Sequence, residues 1–176
     1  MKATLKFETE NGCKEIEVEV ADAVGKQLIE DPPQNKKTGY EEVRNGEVYY
    51  YVCWDGGCDS LVDNYDDVDN KMYENANYYS SEEVAENNCR ADKLMRQLRR
   101  FSVEHRERQI VWGKPDCSIK YKIVFYCYEE ELNVSPEQWN RDFGGIYFES
   151  AKVAKLAIET FHDELIWYFT EYKDSL

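Results

Sequence analysis

A chain of 176 residues, 42% hydrophobic and 14% aromatic, carries enough apolar side chain for one core, or one core with an appendage. Its formal charge of −14 repels nucleic acid and anionic membranes and attracts basic surfaces, such as the channels of proteins that handle DNA and RNA. No apolar run approaches the ~20 residues of a spanning helix, and MKATLKFETENG alternates where a signal peptide needs an apolar block, so a cytoplasmic protein with no membrane partner is expected.

Residues 1–33 read as a ββα unit. Ala3, Leu5 and Phe7 alternate, Asn11–Gly12 supplies a turn, and Ile16, Val18 and Val20 alternate again. ADAVGKQLIE, residues 21–30, predicts a short amphipathic helix, and Asp31–Pro32–Pro33 stops it because the residue before proline avoids helical geometry. Residues 34–47, QNKKTGYEEVRNGE, are polar with two glycines and predict a linker.

VYYYVCW, residues 48–54, predicts a strand of aromatic and β-branched groups. Asp55–Gly56–Gly57 turns the chain, and CDSLV pairs back across it. Residues 63–76 read as an acidic loop, and Tyr78–Tyr79 as a short strand. Ser80 followed by Glu83 is the pattern of a capping box. Val84, Ala85, Asn88, Ala91, Met95, Leu98 and Phe101 then recur at helical steps, predicting a long helix that ends near residue 109.

The second half restates this order. Residues 117–128, CSIKYKIVFYCY, predict a strand, and an irregular strand or loop follows. Gly144–Gly145 turns into Ile146, Tyr147 and Phe148, and Ser150 caps a helix whose apolar face is Val153, Leu156, Ala157, Phe161, Leu165 and Phe169. NYYSSEEVAENN (77–88) and IYFESAKVAKLA (146–157) share Tyr, aromatic, x, Ser, x, x, Val, Ala at one constant offset, with Glu149 where Ser80 stands. The expected fold is therefore α+β: an N-terminal ββα unit, then two pseudo-repeated antiparallel sheet-plus-helix units over 48–112 and 113–176. Short edge strands and the aromatic excess leave a homodimer open.

Charge is distributed unevenly. DNYDDVDNKMYE, residues 63–74, is the densest acidic stretch, and Glu129, Glu130 and Glu131 form a second cluster, expected in the corresponding loop of the second repeat. An EF-hand reading fails, because Val68 stands where the sixth loop position needs glycine. Two readings stay open for Asp63, Asp66, Asp67, Asp69 and Glu129–Glu131: solvated loops, or a docking surface that imitates rows of phosphates and pairs with arginine or lysine. The basic segment lies on the first long helix, where Arg90, Lys93, Arg96, Arg99 and Arg100 read either as a solvated face or as a phosphate-binding stripe over 90–108.

No catalytic residue is expected. GxGxxG, GxxxxGK[ST], HExxH and GxSxG are all missing, and the two histidines, His105 and His162, each sit in a helical stretch. The cysteines at 13, 53, 58, 89, 117 and 127 form no CxxC pair, so neither metal nor disulfide is expected, and Cys89 and Cys127 read as small core residues. No cofactor is expected either.

The pattern of YYYV, NYYSSEEVAENN, KYKIVFY and IYFESAKVAKLAIE resembles small accessory proteins carried by phages and mobile elements of Firmicutes, and residues 1–31 look like the leader of related clostridial phage-type proteins. Within that group the chain is similar to type II-A anti-CRISPR proteins. The resemblance implies a bacterial host cell and a non-enzymatic inhibitor whose partner is a Cas9-type nuclease or its guide RNA complex. The alternative is an accessory protein that binds DNA through the basic helix.

Overall fold

The computed structural model describes residues 2–9, 12–19, 37–113 and 118–176. The chain divides into two compact units, Met1–Lys37 and Thr38–Leu176. In the first, β1 (Lys2–Thr9) pairs antiparallel with β2 (Gly12–Glu19), with Ala3 opposite Val18 and Leu5 opposite Ile16. The helix expected over 21–30 and its stop at Asp31–Pro33 lie outside the described residues.

The second unit is built from two copies of one device. β3 (Val48–Val52) pairs antiparallel with β4 (Cys58–Val62), and Tyr79 adds a single bridge to Tyr50 through two backbone bonds of 2.8 and 2.9 Å. β5 (Lys120–Tyr126) pairs with β6 (Glu131–Glu137), and Phe148 bridges Tyr121 through bonds of 2.9 and 2.8 Å. A serine-capped helix follows each bridge: α2 (Glu82–Glu104) after the first and α3 (Ala151–Thr160) after the second. Between β4 and α2 lies a short extra helix, α1 (Asp67–Glu74), and α3 is followed by α4 (His162–Thr170). The fold is α+β.

The N-caps are Ser81 and Ser150, whose hydroxyls accept from Val84 N–H and Val153 N–H. The expectation that Ser80 caps the first helix is therefore corrected by one residue, and the two caps align. Ser80 and Glu149 instead hold neighbouring chain. Ser80 donates its N–H to Gly39 O (2.8 Å) and its hydroxyl to Glu41 (2.8 Å), while Glu149 accepts from Arg108 N–H (2.8 Å).

Residues 38–47 are thus packed chain and not the expected linker. Gly39 is buried against Val84, Tyr40 lies against Tyr79 with ring centroids 5.3 Å apart, and Val43 N–H donates to Tyr78 Oη at 3.1 Å. Polar side chains conceal this in the sequence, because the contacts are made mainly by backbone and by a glycine.

β6 is a regular strand where an irregular strand or loop was expected. Pro136 hides it, yet it costs the ladder nothing. It faces Tyr121, whose N–H and C=O both point to Phe148, so position 136 is a non-hydrogen-bonded pair. The second helix also departs from expectation. It breaks at Phe161 (φ −116°, ψ 23°), leaving Leu156 and Phe169 exposed. α2 ends at Glu104, where His105 stacks on Phe101 (3.8 Å) instead of extending the helix.

The main core joins Leu94, Leu98 and Phe101 of α2 to Phe148, Ala154, Ala157 and Leu165. A smaller cluster packs Val84 and Ala85, at the start of the same helix, against Tyr79, Tyr50 and Val52. One helix therefore serves both repeats: its first turns cover the β3–β4 hairpin and its last turns enter the core beneath β5–β6. Among the described residues no helix is long and apolar enough to cross a membrane.

Two outcomes follow for the 38–47 segment. Gly39 has φ +93°, and an added Cβ would lie 2.6 Å from Val84 Cγ2. Gly39→Ala is expected to destabilise by about 1–3 kcal/mol, read from urea unfolding, because strain and overpacking act together. Glu41 accepts from Thr38 N–H, Thr38 Oγ1, Gly39 N–H and Ser80 Oγ. These donors, Thr38 N–H foremost, hold its pKa at about 2 against an ordinary 4.5. A carboxylate depressed on folding contributes stability that is full above the ordinary value and lost as pH falls through the folded one. Wild type minus Glu41→Gln should thus show a stability difference that shrinks between pH 4.5 and pH 2 and is flat above.

Candidate functional site

The acidic stretch 63–74 folds inward. Asp63 is 1% exposed, accepting the Tyr78 hydroxyl at 2.5 Å and Tyr65 N–H at 2.7 Å. Asp69 is 5% exposed and accepts the Tyr49 hydroxyl (3.0 Å), Asn64 N–H (2.8 Å) and Asp66 N–H (3.2 Å). Asp66 accepts Val68 and Asp69 N–H in return, a reciprocal capping box that starts α1. Tyr49 and Tyr78 stack at 4.1 Å, and burial, followed by these carboxylates, pushes both phenols well above their ordinary pKa. The Asn64 N–H, and after it the Asp66 N–H, holds Asp69 below the usual carboxylate range.

Asp63 and Asp69 are therefore structural acceptors and do not face a partner. The docking row expected over 63–69 is corrected to Asp66, itself engaged as a cap, and the exposed Asp67. Spacing alone does not distinguish a solvated acid from a cap. The two tyrosine hydroxyls decide it, because a buried phenol needs an acceptor.

Glu129, Glu130 and Glu131 are exposed, but Glu129 and Glu130 occupy the β5–β6 turn, with Glu130 at φ +53°, and Glu131 opens β6. The segment matching 63–76 in the second repeat is 138–145, which lacks a helix. The expected correspondence is corrected accordingly. The β5–β6 turn, 127–130, matches the β3–β4 turn, 53–57. Both turns carry a feature that charge reading missed. Trp54 is 99% exposed beside Asp55, and Tyr128 is 96% exposed beside Glu129. Each lies two residues past the end of the first strand of its hairpin. Trp139 and Phe143 are also exposed, on the 138–145 loop. Trp54 and Tyr128 were expected at the ends of strands, over 48–54 and 117–128, but β3 stops at Val52 and β5 at Tyr126, which leaves the two aromatics in turns where no strand face buries them.

The basic residues do not form one stripe. Arg90 makes a two-pronged pair with Glu164 (2.8 and 3.2 Å) and covers the Trp167 ring at 4.0 Å. Arg96 and Arg100 approach Asp92 (4.0 Å) and Glu104 (3.7 Å) along their own helix. Lys93 and Arg99 form no ion pair among the described residues. Lys93 lines a cavity of mixed charge with Arg90, His162, Asp163 and Glu164, whereas Arg99 faces a separate cleft.

Cys89 is buried as expected and its thiol donates to Gly56 O at 2.9 Å, whereas Cys127 is exposed on the β5–β6 turn, against expectation. Burial, followed by the neighbouring Cys89, pushes the Cys58 thiol up to about 12, which makes it a poor nucleophile. Among the described residues no group of His, Cys, Asp and Glu is arranged to hold a metal ion.

The inward network predicts a split between the carboxylates. Asp63→Ala strands the buried Tyr78 hydroxyl and should cost about 1–3 kcal/mol in urea unfolding. Asp69→Ala should lower the midpoint in the same direction. Glu129→Gln and Glu130→Gln, on a free turn, should stay within about 0.5 kcal/mol of wild type. In comparison with known proteins, no family model matches the chain, and neither a curated protein nor a solved structure does.

Proposed function

We propose that this chain is a non-enzymatic binding protein that blocks a nucleic-acid-handling partner by setting its two hairpin tips against a basic surface. The observation that carries this reading is the pair of bare aromatics, Trp54 and Tyr128, held beside carboxylates at matching places in the two repeats. Large aromatics cost free energy in water and are the commonest anchors of protein interfaces. Carboxylates beside them add charge-assisted pairs with arginine, and the ring faces offer cation–π contacts to the same guanidinium groups. A chain of net charge −14 is drawn to such a surface over long range.

A Cas9-type nuclease is the partner to test, since it holds its nucleic acids in positively charged channels and reads part of its target with arginines. The inhibitor would act by occupancy, so it needs no catalytic group. The alternative, an accessory protein binding DNA through Arg90, Lys93, Arg96, Arg99 and Arg100, is less well supported, because three of those five cations already lie against carboxylates of this chain.

A cleavage assay with the protein added before or after guide and target tests the partner, and a binding assay tests the surface. Trp54→Ala and Tyr128→Ala should each weaken partner binding by at least about tenfold. Glu129→Gln with Glu130→Gln and Glu131→Gln should reduce it most at low salt. Uninhibited cleavage removes the nuclease as partner. Unchanged binding by the variant carrying all five substitutions removes the tips.

A further inference from the structure

The last turn and a half of α2, Arg106, residues 109–112 and the loop 141–147 border an open surface cleft of about 530 Å³. Arg99, Arg106 and Arg141 line it, and among the described residues no carboxylate does. None of the three forms an ion pair among the described residues. In a chain of net charge −14, where Arg90, Arg96 and Arg100 each lie against a carboxylate, a cleft of this kind is a local reversal of the molecule's field.

The surrounding carboxylates are already engaged. Asp142 is paired with Lys122 at 2.6 Å. Glu149 takes Arg108 N–H at 2.8 Å, and bonds from the 107–108 backbone hold it below the usual carboxylate range. Glu149 keeps its negative charge and acts on Arg106 as well, so it offsets part of the cleft's positive potential on that side.

The wall behind the arginines is partly apolar. Trp112 packs edge-on against Tyr147 (4.7 Å, 73°), and the Arg141 guanidinium lies 5.9 Å from its centroid. Ser102 donates its hydroxyl to Tyr147 O at 2.6 Å, fixing α2 to this wall. Val103 and Ile146 contribute apolar surface. Behind Trp112 stands Lys120, 2% exposed, with its ammonium 4.9 Å from the indole centroid. Lys120 precedes the bridging Tyr121 as Tyr49 precedes the bridging Tyr50. At that place the first repeat buries a phenol and the second a cation. Burying an ammonium is costly for folding alone, and here it adds positive charge behind a cleft already lined by three more.

We infer that this cleft binds a nucleotide through its 5′-phosphate, with the phosphate on Arg99, Arg106 and Arg141 and the planar base against the Trp112–Ile146 wall. Guanidinium groups match phosphate oxygens in pairs, which ammonium groups do not. The volume lies within the roughly 300–1,000 Å³ of small-ligand sites. Two sources present this chemistry, a free mononucleotide and the 5′-phosphorylated end of a strand. The inference does not rest on the hairpin tips.

Titration calorimetry of the whole chain tests it, with 5′-AMP, adenosine, inorganic phosphate, and a short oligothymidylate with and without a 5′-phosphate. Saturable binding of 5′-AMP is expected, at least about tenfold tighter than adenosine or inorganic phosphate. Binding of the phosphorylated oligonucleotide in competition with 5′-AMP would identify the ligand as a strand end, and binding of 5′-AMP without either oligonucleotide would identify a free nucleotide. Arg141→Gln lies on an exposed loop, so the fold should be intact by circular dichroism while affinity falls at least about tenfold, and Arg106→Gln should act alike. The inference is overturned if none of these probes binds saturably. Inorganic phosphate binding as tightly as 5′-AMP, or 5′-AMP affinity unchanged in the Arg106→Gln/Arg141→Gln double variant, overturns it equally.

Discussion

A two-stranded hairpin exposes an apolar face that it cannot bury alone, and three such hairpins are the only sheets described in this chain. In the larger unit the burden falls on one helix. α2 covers the first hairpin with Val84 and Ala85 and enters the second core with Leu94, Leu98 and Phe101. Everything else in that unit is placed relative to this spine. The single bridges at Tyr79 and Phe148 carry the chain from a hairpin edge into a helix start, and Ser81 and Ser150 satisfy the first free N–H groups there.

The repeats agree where the device is mechanical and differ where chemistry can be placed. Hairpin, bridge, cap and the Val–Ala step are shared. The differences are specific. Tyr49 in one copy answers to Lys120 in the other. Asp63 and Asp69, buried beneath Tyr78 and Tyr49, hold a helix in one copy, while Glu137 in the other gathers the N–H groups of residues 138–140 and helps to neutralise Lys122. The hairpin tips keep an aromatic residue in both copies but surround it with different numbers of carboxylates. These divergences generate the two surfaces of interest, the tips and the arginine-lined cleft.

Much of the architecture was legible in sequence because it depends on local rules. Alternation marked β1 and β2, aromatic and β-branched content marked β3, helical periodicity marked α2 and α3, and Ser150 was readable as a cap. Three features were not. β6 was masked by Pro136, whose missing N–H matters only if the ladder needs it. Residues 38–47 were masked by polarity, since their packing runs through backbone and Gly39. α1 was masked by its charge, because a capping box written entirely in aspartate looks like an acidic loop.

The amino-acid sequence by itself determined the fold class, the repeat and the sign of the molecule's charge, since composition and periodicity act without regard to distant neighbours. Only the tertiary structure decided which charges are free. Asp63 and Asp69 were drawn inward by two phenols far along the chain, Arg90 was claimed by Glu164, and Arg99, Arg106 and Arg141 were left lining one cleft. A charge is available or spent according to the partner that folding brings within about 4 Å, and that distance is a property of three dimensions.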